Sequence, residues 1–292
     1  MNKYQYHDVN YRGTIQKLHY ITTNMQGEIR NKYANIYLPY GYDESDKEKK
    51  YNVLYVMHGG GGNPDAWLDC CKVKNMLDFV ICKRQVDPLI VVFPSYYKEQ
   101  VGRVGPPDKE VERGHVLYFQ KELIEDLIPA VEKGLNTYAE ATTKEAIKAS
   151  RMHRGFGGFS MGAATTWFAF LNNIDYFSNY VPLSGDCWVV EGQGGLTKPD
   201  ETAKILHDHV IRSGYGVDEY FIYAATGTKD VAYDALTSQV NAMRQFPDTF
   251  VEEEELAKGN FHYLLAEDEV HDYEAACDYL YNILPFLFKQ AK

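Results

Sequence analysis

Residues 154–168 read Arg154-Gly155-Phe156-Gly157-Gly158-Phe159-Ser160-Met161-Gly162-Ala163-Ala164-Thr165-Thr166-Trp167-Phe168, and this stretch decides the fold. A short run from Gly155 to Phe159 gives way at Ser160 to a helix-like segment from Ala163 to Leu171. At the junction, Gly158-Phe159-Ser160-Met161-Gly162 matches Gly-x-Ser-x-Gly, in which a strand turns sharply into a helix and holds a serine at a strained apex. The flanking glycines give the turn room. A glycine-rich turn with an incidental serine would carry the same letters, and Gly155 and Gly157 weaken a strand on propensity alone. The strand, turn and helix context favours a nucleophile at Ser160.

Outward from this unit, short apolar runs alternate with longer amphipathic ones, the pattern of βα units that build a mostly parallel sheet. Strands are predicted at Asn52–Met57, Leu89–Phe93, Gly155–Phe159, Tyr180–Leu183, Tyr220–Ala225 and Phe261–Ala266. Helices are predicted at Tyr118–Leu135, Ala163–Leu171, Glu201–Ile211, Ala232–Phe246 and Tyr273–Phe288; in the first, Leu123, Leu127, Ile128 and Val131 share one face. Thr14–Thr22 and Lys32–Leu38, ahead of the charged turn at residues 43–50, read as an antiparallel edge. The expected fold class is α/β, an α/β-hydrolase fold with a mostly parallel central sheet, helices on both faces and an antiparallel N-terminal edge. No repeat or low-complexity linker marks a boundary, so residues 1–292 are read as one domain.

Hydrophobic residues make up 45% and charged residues 24% of the 292-residue chain, enough to bury a sizeable core. The net charge of −11 disfavours nucleic acid and anionic membranes as partners, since both would repel it. No run approaches the roughly 18 apolar residues of a membrane helix. The first eight residues lack the apolar centre of a secretory signal, which implies a cytoplasmic chain if Met1 is the native start and leaves export open if a leader has been removed. The five cysteines are odd in number and form no Cys-x-x-Cys pair, so free thiols are expected.

In the chain order Ser, then acid, then His, only His262 and His271 follow a suitable acid. His262 lies inside an apolar strand, committed to one sheet face. His271 follows Glu267-Asp268-Glu269-Val270 in the loop after the last strand, where an imidazole can reach Ser160. The orienting acid is expected just past a strand end. Asp230, which follows Tyr220–Ala225 by the short turn Thr226-Gly227-Thr228-Lys229, fits best, with Asp186 in Leu183-Ser184-Gly185-Asp186 as the alternative. His207 and His209 sit at i and i+2 on a predicted helix and point apart, so no metal is invoked. A Ser-His-Asp site also needs no cofactor.

Ester attack makes the carbonyl oxygen negative, and two preorganised N–H donors would stabilise it. Met161 supplies one; the loop His58-Gly59-Gly60-Gly61-Gly62, directly after a strand, supplies the other at Gly60. The same glycines could suggest a phosphate loop, but no Gly-Lys-Ser/Thr follows. Trp67 and Trp188, with Asp186 beside the latter, are candidates to line an aromatic or sugar-binding cleft.

Taken together, residues 51–62, Gly158–Gly162 with Trp167, Pro182–Trp188 and Ala224–Tyr233 resemble the feruloyl esterases of carbohydrate esterase family 1, the esterase-D-like branch, over about Gly13 to Phe288. The resemblance implies release of hydroxycinnamic acids from arabinose side chains of plant xylan, with feruloylated arabinoxylan or small feruloyl esters as partners. It also implies the acid at Asp230, the base at His271 and an aromatic contact at Trp188. Similar enzymes often carry further aromatics just after the histidine, whereas Asp272 and Tyr273 stand here. The stretch Glu191–Leu196 also looks longer than its counterpart. An esterase for acetyl-xylan or a thioester, an acyltransferase, and a non-catalytic carbohydrate-binding module are the competing readings.

Overall fold

The alternation of side chains along a strand divides the core in two. In strand β3, Val53, Tyr55 and Met57 join one hydrophobic cluster, while Leu54 and Val56 join the other, as a two-residue period requires of a sheet covered on both faces. The computed structural model describes all residues except 1–2, 4–8, 25–26, 98–102, 104, 257 and 290–292. The first eight residues, apart from Lys3, thus lie outside the described residues, and with them the stretch on which the leader reading rests.

Among the described residues eight strands form one sheet: β1 (Thr14–Thr23), β2 (Ile29–Leu38), β3 (Asn52–Met57), β4 (Leu89–Phe93), β5 (Arg154–Phe159), β6 (Asn179–Leu183), β7 (Phe221–Gly227) and β8 (Phe261–Ala266). Their order is β1-β2-β4-β3-β5-β6-β7-β8. β1 pairs with β2 and β2 with β4 in antiparallel fashion, and every later pairing is parallel. The helices are α1 (Ala66–Cys70), α2 (Val73–Cys82), α3 (Lys109–Glu122), α4 (Ile128–Gly134), α5 (Lys144–Ala149), α6 (Met161–Asn173), α7 (Gly194–Thr197), α8 (Pro199–Ser213), α9 (Tyr233–Met243) and α10 (Tyr273–Ile283). Phe119, Trp167, Leu206 and Leu236, from α3, α6, α8 and α9, pack on one face of the sheet; Leu77 and Leu280, from α2 and α10, pack on the other.

Three departures from the sequence reading have local causes. The helix predicted from Tyr118 begins at Lys109, because the Asp108 carboxylate caps it by accepting from the N–H groups of Glu110 and Val111; it reaches α4 through a π-helical segment, Leu123–Leu127. The last helix stops at Ile283 rather than Phe288, since Pro285 lacks the N–H to continue it, and a 3-10 turn follows. Helices α1, α2, α5 and α7 are additional. The parallel strands from β3 to β8 all end at one edge, where βα loops gather, as in other open α/β sheets.

Candidate active site

The turn after β5 is tight enough to dictate its residues. Ser160 has φ 58° and ψ −117°, a conformation an L-residue holds only when its surroundings enforce it. A Cβ on Gly158 would come within 2.6 Å of the Gly162 carbonyl oxygen, and one on Gly162 within 2.5 Å of the Met57 carbonyl oxygen. Neither position admits a side chain. The Ser160 N–H donates to the Leu183 carbonyl at 2.8 Å, tying the elbow to β6.

His271 Nε2 lies 2.9 Å from Ser160 Oγ, and its Nδ1 lies 2.6 Å from Asp230 Oδ1. Burial pushes the Asp230 carboxyl upward, but the hydrogen bonds from His271 and the Ala232 N–H, together with the nearby Ser184 hydroxyl, outweigh it and hold the group below the usual carboxylate range. An ionised carboxylate only accepts, so the imidazole proton sits on Nδ1 and Nε2 presents its lone pair to the serine hydroxyl. Among the described residues, Asp230 Oδ2 and Ser184 Oγ, both buried, have no hydrogen-bond partner. The two loops are laced together: the Lys229 N–H donates to the Glu269 carbonyl at 3.0 Å and the Asp268 N–H to Thr228 Oγ1 at 2.9 Å.

Beside the elbow, a Cβ on Gly59 would lie 3.4 Å from Ser160 Cβ, and one on Gly60 would lie 3.8 Å from Met161 Cβ. The Gly59 N–H donates to the Tyr273 hydroxyl and the Gly61 N–H to the Tyr97 hydroxyl, each at 2.9 Å; the Gly62 N–H turns back to the Gly59 carbonyl at 3.1 Å. Among the described residues, no intramolecular acceptor takes the N–H of Gly60 or of Met161. His58 braces the turn from below, with Nδ1 2.8 Å from the Gly59 carbonyl and Nε2 2.8 Å from Ser95 Oγ. A carbonyl cannot donate, so Nδ1 carries the proton and the ring is neutral; burial lowers its pKa to about 4.

The predicted site residues do not all meet. Ser160, His271 and Asp230 come together, with Gly60 and Met161 alongside. Asp186 approaches neither the histidine nor an open cleft: it is 3% exposed, and its oxygens accept from Trp188 Nε1 at 3.2 Å and the Gly195 N–H at 2.8 Å. It therefore supports the half-buried Trp188 from behind. Trp67 is a clearer correction. It is 1% exposed, its indole N–H donates to the Met57 carbonyl at 3.0 Å, and its ring stacks edge-on against Tyr273; a side chain whose polar atom is satisfied inside the core does not line a cleft.

Arg113 holds the backbone of the Trp188 loop by donating to the carbonyls of Trp188 and Val189 at 2.7 and 2.8 Å. His262, 5% exposed, stays within β8, and His207 Nδ1 lies 2.7 Å from Thr249 Oγ1. All five cysteines are free. Tyr97, Tyr273 and Ser184 were not singled out as site residues from the sequence, since single tyrosines and serines carry no spacing signal. A cavity of about 480 Å³ lined by Tyr223, Glu253, His262 and Phe286 opens along β8 and contains none of the residues around Ser160.

The Esterase family profile matches residues 25–278. The chain belongs to the Esterase family. By family it is a carboxylic ester hydrolase, and its fold is that of the α/β-hydrolases. This esterase is 39% identical, over 89% of its length, to endo-1,4-beta-xylanase Y of Acetivibrio thermocellus, and 31% identical, over 63% of its length, to an endo-1,4-beta-xylanase/feruloyl esterase of Xylanibacter ruminicola. It spans only 22% and 23% of those two proteins. Among solved structures, the feruloyl esterase module from Clostridium thermocellum complexed with sinapinate is 36% identical, with a TM-score of 0.84 over 100% of this chain and 95% of that one. The S-formylglutathione hydrolase of Staphylococcus aureus, 13% identical with a TM-score of 0.63 over 94% of this chain and 100% of that one, shares the fold.

Proposed function

We propose that this esterase is a single catalytic domain that hydrolyses feruloyl and related hydroxycinnamoyl esters of plant xylan through Ser160, His271 and Asp230. The observation that carries the reading is the unbroken run of hydrogen bonds from Ser160 Oγ through His271 to Asp230, at 2.9 and 2.6 Å, on a strained elbow. The substrate class is supported by the xylanase/feruloyl esterase relative and by the sinapinate-bound feruloyl esterase module.

Ser160 Oγ attacks the ester carbonyl as its proton passes to His271 Nε2. The tetrahedral oxyanion is received by the N–H groups of Gly60 and Met161, which give up no acceptor among the described residues. Collapse expels the sugar alkoxide, protonated by His271, and leaves feruloyl-Ser160. Water, deprotonated by His271, attacks this ester; the second collapse returns the proton to Ser160 and releases the hydroxycinnamic acid. Asp230 stays ionised and stabilises the imidazolium in both steps. Trp188, braced by Asp186 and Arg113, offers an indole face suited to the planar acyl group.

The reading is tested by initial rates on methyl ferulate, 4-nitrophenyl acetate, acetyl-xylan and S-formylglutathione. A kcat/KM for the feruloyl ester at least tenfold above the others supports it; the reverse order assigns the site to another acyl group.

A further inference from the structure

Arg103 stands against the glycine turn at Gly60 and Gly61. Its terminal guanidinium nitrogen lies 3.1 Å from where a Gly60 Cβ would be and 3.7 Å from the corresponding point at Gly61. A side chain at Gly60 would press on the guanidinium and require it to shift. Its Nε donates to Glu112 Oε1 in a short bond, and Glu112 is only 6% exposed. The same carboxylate accepts the Tyr97 hydroxyl, at 2.8 and 3.0 Å to its two oxygens, and that hydroxyl accepts the Gly61 N–H at 2.9 Å.

A closed circuit results: Gly61 N–H to Tyr97, Tyr97 to Glu112, Arg103 to Glu112, and the Arg103 guanidinium back onto Gly60. A phenol that must both accept from a backbone N–H and donate to a carboxylate has its hydroxyl direction fixed. With Tyr273 holding Gly59 on the other flank, the Gly60 peptide is gripped at both neighbours and covered by a cation. We propose that Arg103 is a positioning residue for the oxyanion turn, which through Glu112 and Tyr97 fixes the orientation of the Gly60 N–H toward the reacting carbonyl. The proposal rests on the serine-esterase reading above and is separable from its feruloyl part.

A structural role alone would lower stability and leave kinetics intact, whereas a role in substrate contact would raise KM. A positioning role predicts a loss confined to the transition state. Arg103→Met paired with Glu112→Gln, which leaves no unpaired buried charge, and the single variant Arg103→Lys are compared with wild type. The readouts are kcat and KM on methyl ferulate, the rate of Ser160 labelling by a fluorophosphonate whose phosphoryl oxygen needs the same N–H groups, and the melting temperature. The double variant is expected to lose on the order of tenfold to a hundredfold in kcat, with KM within about twofold, labelling slowed in parallel and folding retained. Arg103→Lys is expected to recover part of both losses. Wild-type kcat and labelling in a folded double variant overturn the proposal, as does a rise in KM alone. A wild type that labels rapidly yet ignores feruloyl esters sinks the substrate assignment, and the labelling rates alone then decide the Arg103 role.

Discussion

Replacing Asp230 by Asn keeps the shape of the acid and removes its charge. In the wild type the carboxylate lies 2.6 Å from His271 Nδ1 and its side chain is fully buried. The charge centres of Asp230 and an imidazolium at His271 are then about 4 Å apart, an attraction of about 4 kcal/mol at an effective dielectric constant of about 20, or about 10³ in rate. The amide adds a second loss. Turned with its NH₂ toward Nδ1, it forces the imidazole proton onto Nε2, where it faces Ser160 and cannot accept the serine proton; the combined fall in kcat is expected to be on the order of 10⁴. The assay is kcat and KM on methyl ferulate at pH 7.5 alongside Asp186→Asn, with far-UV circular dichroism to establish folding. KM is expected to stay within a few-fold for Asp230→Asn, and kcat to be nearly unchanged for Asp186→Asn. An Asp230→Asn enzyme that keeps more than a tenth of wild-type kcat, or an Asp186→Asn enzyme that loses it, refutes the assignment of the acid.

Other outcomes follow from the same structure. His58 is neutral when folded, with its pKa lowered to about 4, so the unfolded chain binds the extra proton first. Stability is therefore full above about pH 7 and declines by about 3 kcal/mol as pH falls from 6.5 toward 4, in urea titrations across that range; a flat profile contradicts it unless other groups compensate, which His58→Gln would reveal. Arg154, at the start of β5, bonds Glu132, Ser150 and the carbonyls of Ile147 and Tyr176 while 2% exposed. Arg154→Met strands the Glu132 charge and should cost about 3–5 kcal/mol of unfolding free energy by the same titration. Trp188→Ala should raise KM for methyl ferulate about three- to tenfold, the worth of one aromatic contact, with kcat changed less; an unchanged KM removes Trp188 from the acyl pocket.

The elements that were legible in the sequence are those whose signal is local. Asn52–Met57, Leu89–Phe93 and Phe261–Ala266 are apolar runs bounded by turn residues, and the structure gives them the same limits. Ser160 announces itself through the glycines that its turn requires, and chain order narrows the histidine to His271. Trp67 misled because an indole suits a core as well as a cleft, and only the position of the Met57 carbonyl distinguishes the two. Asp186 follows a strand just as Asp230 does; what separates them is the lacing of the β7 and β8 loops, a long-range contact with no pattern in the chain. Tyr97 and Tyr273 were silent for the same reason. They stand 36 and 214 residues from the glycines they hold.

The central claim is that Ser160 becomes acylated. Wild type and Ser160→Ala are mixed with excess methyl ferulate, quenched with acid within milliseconds, and digested for peptide mass spectrometry. The account predicts a feruloyl adduct on the peptide containing Gly158–Gly162 in the wild type, no adduct in Ser160→Ala, and turnover in the variant reduced by at least about 10³. Wild-type turnover by Ser160→Ala, or an adduct on another residue, would contradict it.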